Sequence, residues 1–222
     1  MNEELLQQSV VLPRKFYSRE TIEAAKDLLG KILVRKMHKN MMLEGRIVEV
    51  EAYRGKDDPA SHAYRGPTDR NKVMFGPVGI SYIYVIYGNH YCLNITARSK
   101  SEQAGAVLIR AIEPTEGIGH MFRNRNMKER RPRELKEEKM WLPRQLTNGP
   151  GKLTQAMQIT GKQNGIDLTD QMSELHVNTD IGGIHEIEIV SAERVGINRG
   201  KDRPWRFYIK GNRFVSKTQI HL

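Results

Sequence analysis

The chain has 222 residues, 38% of them hydrophobic, and a formal net charge of +10. That length suits one substantial core. A mean hydropathy of -0.59, with no apolar run long enough to span a bilayer, excludes a membrane-spanning helical protein.

Cys92 is the only cysteine, so no intramolecular disulfide can form, and MNEELLQQSV lacks the basic and apolar regions of a secretory signal. Both features point to a cytoplasmic protein. The balance of 36 Lys and Arg against 26 Asp and Glu favours an anionic partner, with nucleic acid the first candidate.

In chain order, residues 1–11 read as a loose arm of a single domain spanning residues 1–222. Ser18 suits the N-cap of a helix with Ile22, Ala25, Leu28 and Leu29 on one face, stopped at Gly30. Lys31–Met37 and Leu43–Ala52 read as strands joined by a turn at His38–Asn40. Alternation puts Ile47, Glu49 and Glu51 on one face and Val48, Val50 and Ala52 on the other. Arg54–Gly79 is rich in Gly, Pro, Asp and Arg, and so long an aperiodic connection is more often functional than idle. Ile80–Tyr87 and Tyr91–Ala97 form a hairpin turned at Gly88-Asn89, and Ala106–Ile112 is a further strand. Pro114–Arg123 reads as a helix with its proline in an early position. Arg123–Arg144 carries many charges of both signs and reads as a solvated helix or loop. Asn148-Gly-Pro-Gly-Lys152 opens a helix with Leu153, Ala156, Met157 and Thr160 on one face, and short strands are expected at Glu186–Ala192 and Arg206–Lys210. The fold class is α+β: a mainly antiparallel sheet with flanking helices.

Glu51 ends a strand beside a long polar loop, where a carboxylate can reach a cleft and act as a general base. An exposed structural glutamate is the commoner case, and Glu49 on the same face is the rival. Tyr53, His62, Tyr82 and Tyr84 together suit the wall of a pocket for a planar ligand, although each alone is more often a structural residue. An electron-rich cage of this kind favours a cationic base through cation–π attraction. Tyr87, at the hairpin tip, is a candidate wedge for the gap left by a flipped nucleotide. Arg65, Arg70, Lys72 and Arg110 are candidate phosphate ligands. Gly149, Gly151 and the following backbone at Lys152 could take a phosphate on free N–H groups. There is no HExxH, CxxC, Walker A, GxGxxG or GxSxG sequence, so neither a metal nor an organic cofactor is expected. The combination suits an enzyme that takes a base out of DNA, holds it between rings and activates a water against it.

These residues sit in segments with a family likeness. AAKDLLGKILVR, GRIVEVEAYRGKDDPASHAYRG, RNKVMFGPVGISYIYVIYGNHYCLN, GAVLIRAIEP, LTNGPGKLTQAM and PWRFYIKGN follow one another between Leu12 and Ser216. In this order they resemble the alkyladenine (3-methylpurine) DNA glycosylases. The resemblance implies a compact domain around a curved antiparallel sheet, similar to the C-terminal domain of methionyl-tRNA formyltransferases. It implies a monofunctional, monomeric bacterial enzyme of base excision repair that acts on double-stranded DNA containing damaged purines. The substrates implied are 3-methyladenine, 7-methylguanine and hypoxanthine. Residue by residue, it implies that Glu51 activates the water and that Tyr53, His62 and Tyr84 sandwich the base. It implies that Tyr87 enters the duplex, that Asn94 crowds the amino group of normal guanine, and that Arg110 lies near the water and a phosphate. Two rivals remain at this point: a non-catalytic RNA-binding module of related fold, and a glycosylase-lyase using a lysine amine.

Overall fold

The computed structural model describes residues 10–38, 41–86, 88, 90–127, 143–180 and 187–216. The first nine residues of the expected arm, Tyr87 and Asn89 of the hairpin tip, and 128–142 of the charged segment lie outside the described residues.

A helical turn, α1 (Arg14–Tyr17), leads into α2 (Thr21–Leu28). Helix α2 buries Thr21, Ala24, Ala25 and Leu28, the stripe a surface helix lays on a core. Ser18 is not its N-cap: it closes α1, and Glu20 precedes α2 without a side-chain cap bond. The Thr21 amide donates instead to the Glu102 carboxylate at 3.1 Å, a partner 81 residues away. Gly30, at φ +84°, ends the helix in the left-handed region that glycine enters without strain.

The strands are β1 (Ile32–Lys36), β2 (Met42–Arg54), β3 (Ser81–Ile86), β4 (His90–Thr96), β5 (Gly105–Glu116), β6 (Leu175–Asn178), β7 (Ile189–Ala192) and β8 (Arg206–Ile209). They form one antiparallel sheet in the order β3-β4-β5-β2-β1-β6, with β8 pairing both β2 and β7. Strand β2 is the spine. One edge pairs with β5, while the other pairs with β1 over Met42–Arg46 and then with β8 over Glu49–Glu51. That change of partner requires a bend. The register of β2 against β5 shifts at Glu44/Gly45, Ile47/Glu49 and Glu49/Val50, and such bulges bend and twist a strand. The sheet curves into a half-barrel.

Strand β5 runs on through Glu116, so Pro114 lies in a strand and does not open a helix. It sits opposite Gly45 beside a register shift, an irregular position that tolerates a residue without an N–H. Helix α3 (Ile118–Asn124) starts only after Gly117, at φ +71°. Helix α4 (Pro150–Ala156) carries its proline in the first turn, as the sequence suggests.

One face of the sheet, with Val48, Val50, Ala52, Ile83, Leu93, Ile95, Val107 and Ile109, builds the main core together with residues of α2 and α4. The other face carries a smaller cluster of Ala63, Met74, Tyr82, Ala104 and Ala106. Ala63 and Met74 of that cluster root the long connection between β2 and β3 on the sheet. Buried Asn71 ties the connection together, donating to the His62 carbonyl at 2.7 Å and the Gly66 carbonyl at 3.0 Å. Among the described residues no helix is long and apolar enough to cross a membrane.

Candidate active site

Strand register assembles the site. Tyr82 lies opposite Asn94, Asn94 opposite Leu108, and Leu108 opposite Glu51. Directly opposed residues point to one face of a sheet, so this row from four strands faces away from the main core. On the next row Tyr84 lies opposite Cys92, and Arg110 is two residues beyond Leu108 on β5. Curvature closes both rows around a cavity of about 540 Å³. Its walls include Glu51, Tyr53, His62, Tyr84, Asn94 and Arg110.

Glu49 and Glu51 are both wholly buried, so neither lies on a wet face. Glu51 Oε2 accepts the Tyr53 hydroxyl at 2.8 Å. Its Oε1 accepts the Val195 amide at 2.7 Å and lies 3.2 Å from the Arg110 guanidinium. A carboxylate has about four lone-pair sites, so Oε2 keeps room for another donor. Glu49 is more fully engaged, with Oε1 accepting three bonds and Oε2 a fourth. It accepts from Arg110 Nε at 2.9 Å, Arg206 Nε at 2.7 Å, and the Ser216 amide and hydroxyl, each at 2.7 Å. It does not line the cavity. Burial pushes the Glu49 pKa up, but Arg110, Arg206 and the two Ser216 bonds outweigh burial and hold it below the usual value. Burial opposes the charge on Arg110, while Glu51 and Glu49 favour it more strongly and raise its pKa. Two carboxylates thus balance two guanidinium groups. Register shifts flank Glu49, and the shared parity of the two glutamates does not extend to their surroundings.

Several of the rings pack on one another. His62 and Tyr84 meet edge to face with centroids 4.6 Å apart, leaving no gap for a planar ligand between them. His62 Nδ1 lies 2.9 Å from the Tyr82 hydroxyl. Partial burial, and then the charge of Arg70, lower the His62 pKa from its usual 6.5. Tyr53 stands on β2. Burial and the Glu51 charge hold its hydroxyl far above the ordinary tyrosine pKa, so it remains a donor. Behind it the Arg194 guanidinium lies 4.7 Å from the ring centroid. Asp58 grips Arg194 with two bonds of 2.7 Å, and both side chains are wholly buried. Asn94 is buried in the cavity wall with its amide nitrogen donating to the Tyr82 carbonyl at 3.0 Å. Burial pushes the Cys92 thiol up to about 11.

The candidate phosphate ligands are scattered. Arg70 lines the cavity, with its guanidinium 5.4 Å from the Tyr84 ring centroid. Arg65 is exposed and does not line it, and Lys72 is exposed and pairs with Asp69 at 3.3 Å. Pro150, flanked by Gly149 and Gly151, touches the cavity. Gly151 packs on His90 so closely that a Cβ there would lie 3.1 Å from the His90 Cβ, and Lys152 donates to Asn148 Oδ1 at 2.9 Å. This loop therefore borders the cavity and the end of the hairpin. Among the described residues no three His, Cys, Asp or Glu side chains are grouped to hold a metal ion.

Several groups that complete the site have no local signal in the sequence. Val195 reaches Glu51 across 144 residues, Arg194 reaches Asp58 across 136, and Arg206 reaches Glu49 across 157.

A buried carboxylate in the wall of a ring-lined cavity, in a basic chain, fits a hydrolase that works on a planar group. The family model for methylpurine-DNA glycosylase (MPG) matches residues 15–213. A protein of Carboxydothermus hydrogenoformans named "Putative 3-methyladenine DNA glycosylase" is 45% identical over 94% of this chain and 100% of its own length. Proteins of the same name from Alkaliphilus oremlandii and Clostridium acetobutylicum are each 47% identical, over 93% and 92% of this chain and 98% and 97% of theirs. The chain belongs to the methylpurine-DNA glycosylase family; it is a DNA-repair hydrolase that cleaves N-glycosidic bonds.

Proposed function

We propose that this enzyme is a monofunctional, monomeric cytoplasmic glycosylase for 3-methyladenine, 7-methylguanine and hypoxanthine in double-stranded DNA. The damaged nucleotide rotates out of the helix into the cavity, and Tyr87 fills the gap it leaves. The base lies between Tyr53 on one side and the His62–Tyr84 pair on the other. Glu51 takes a proton from water through Oε2 as the water oxygen attacks C1′. The N-glycosidic bond breaks, its electron pair leaves with the purine, and an abasic site remains. Arg110 and the Val195 amide hold Oε1, which fixes the direction of the free lone pair. Asn94 crowds the exocyclic amino group of normal guanine. Arg65, Gly149, Gly151 and Lys152 contact the backbone around the cavity. A methylated purine is already cationic and leaves readily, whereas neutral hypoxanthine needs its departing charge offset, with a proton at N7 as the natural means.

The observation that carries this reading is the hydrogen-bonding state of Glu51, buried with three partners yet with a lone pair to spare in the cavity wall. An RNA-binding surface has no use for that arrangement, so the binding-module reading is not favoured. Glu51→Gln preserves shape but cannot accept a proton. Single-turnover excision of hypoxanthine should fall by at least roughly a hundredfold while lesion binding survives. Near-native excision by this variant would remove Glu51 from the mechanism.

A further inference from the structure

We infer that Arg70 is a specificity-determining residue that biases the cavity toward neutral purines and against purines already carrying a positive ring charge. The inference rests on the reading of the cavity as a base pocket.

Arg70, Arg110 and Arg199 line the cavity and Arg194 lies against the Tyr53 ring, and they differ in how their charge is answered. Arg110 faces Glu49 and Glu51, and Arg194 is gripped by Asp58. Arg70 has no carboxylate within ion-pair distance among the described residues. It nevertheless lines the cavity, with its guanidinium 5.4 Å from the Tyr84 ring centroid. It also lies near enough to the Tyr82 hydroxyl to counter the upward push of burial on that group. The Tyr84 side of the cage therefore carries an exposed cation that no carboxylate of the described residues answers.

This changes what the rings offer. An electron-rich cage attracts a cation to its faces. Here the Tyr84 ring already meets Arg70, and the Tyr53 ring already meets Arg194 at 4.7 Å. A cationic base entering the pocket meets rings already engaged and a like charge beside them. A neutral purine meets no such repulsion. As its glycosidic bond breaks, negative charge grows on the ring, where a nearby guanidinium offsets it. Hypoxanthine also presents O6 and N7 as two acceptors on one edge, the pattern a planar guanidinium fork matches, whereas methylation of N7 removes one of them. The charge of Arg70 also lowers the pKa of His62, which stands beside it in the same wall.

A phosphate-binding Arg70 behaves differently, and one experiment separates the two. Wild type, Arg70→Gln and Arg70→Lys are compared in single turnover on duplexes with one hypoxanthine or one 7-methylguanine, and in binding to undamaged duplex across a salt series. Arg70→Gln should raise the ratio of 7-methylguanine to hypoxanthine release by about tenfold. Arg70→Lys keeps the charge without the planar fork, so its ratio should fall between. Affinity for undamaged duplex and its salt slope should stay at wild-type values. An unchanged ratio in an active Gln variant overturns the inference. So does an equal loss on both lesions with a salt slope shallower by about 0.9, the signature of one lost phosphate contact. If the wild type releases neither base, the base-pocket reading itself falls and takes this inference with it.

Discussion

Glu49→Gln takes one negative charge out of a cluster in which two carboxylates face two guanidinium groups, none with a side chain more than 8% exposed. The amide keeps the volume but replaces an acceptor oxygen with a donor, amid four donors from Arg110, Arg206 and Ser216. Removing one partner of a buried pair costs about 3–5 kcal/mol. For a chain of this length each kcal/mol lowers Tm by about 2–4 °C, so a fall of roughly 10 °C is expected. The pH dependence has a definite sign. The Glu49 pKa is held below its usual 4.5, so its stabilising contribution is complete above that value and is lost as pH falls through the lowered folded value. The wild type therefore loses this stability on acidification, while the variant, with no proton to bind, should show a shallower decline below about pH 4.5. Thermal melts at neutral pH and along an acid series measure both effects. Excision of hypoxanthine, assayed well below both melting points, should stay within about tenfold of wild type. A Tm within about 2 °C of wild type, equivalent to under 1 kcal/mol, refutes the charge-balance argument. Loss of excision by a folded, DNA-binding variant refutes the division of labour between the two glutamates.

Asn94→Ser should raise release of undamaged guanine relative to hypoxanthine, measured on paired duplexes; an unchanged ratio would confine Asn94 to holding the Tyr82 carbonyl. Tyr87→Ala should weaken binding to lesion duplex more than to undamaged duplex, since unstacking a base costs a few kcal/mol that an inserted ring partly offsets. Equal losses in the two titrations would make Tyr87 a general contact.

The hairpin and the run into Glu51 were legible because alternation and a glycine turn are local signals. Tyr82 and Tyr84 share a face by period two, and the observed register sets Asn94 and Cys92 opposite them. Legibility failed where the pleat is interrupted. Parity paired Glu49 with Glu51, but register shifts flank Glu49, and its partners come from β8 and from Ser216. Pro114 mimics a helix start only if the strand is assumed to stop, and a bulge beside Gly45 lets it continue. Ser18 resembles a cap because Ser commonly is one, whereas the groups that order the start of α2 lie near Ala97 and Glu102. Arg70 was legible as a cation but not as a member of the cavity wall, because the connection carrying it is held by Asn71 and has no period of its own. Arg194 and Asp58 could not be matched from sequence, since nothing along 136 intervening residues signals that they meet.

The distant partners of the two glutamates set an order of events during synthesis. A ribosome that has made Glu49, Glu51 and the hairpin has not yet made Val195, Arg206 or Ser216, which lie 144, 157 and 167 residues beyond the glutamates they bind. Until that last stretch emerges, Glu49 has only Arg110 among its partners, and Glu51 only Tyr53 and Arg110. A growing chain, folding from its N-terminal side, thus lacks the partners that complete both carboxylates until its last residues are made. The same holds for a chain trimmed by a protease ahead of Arg194.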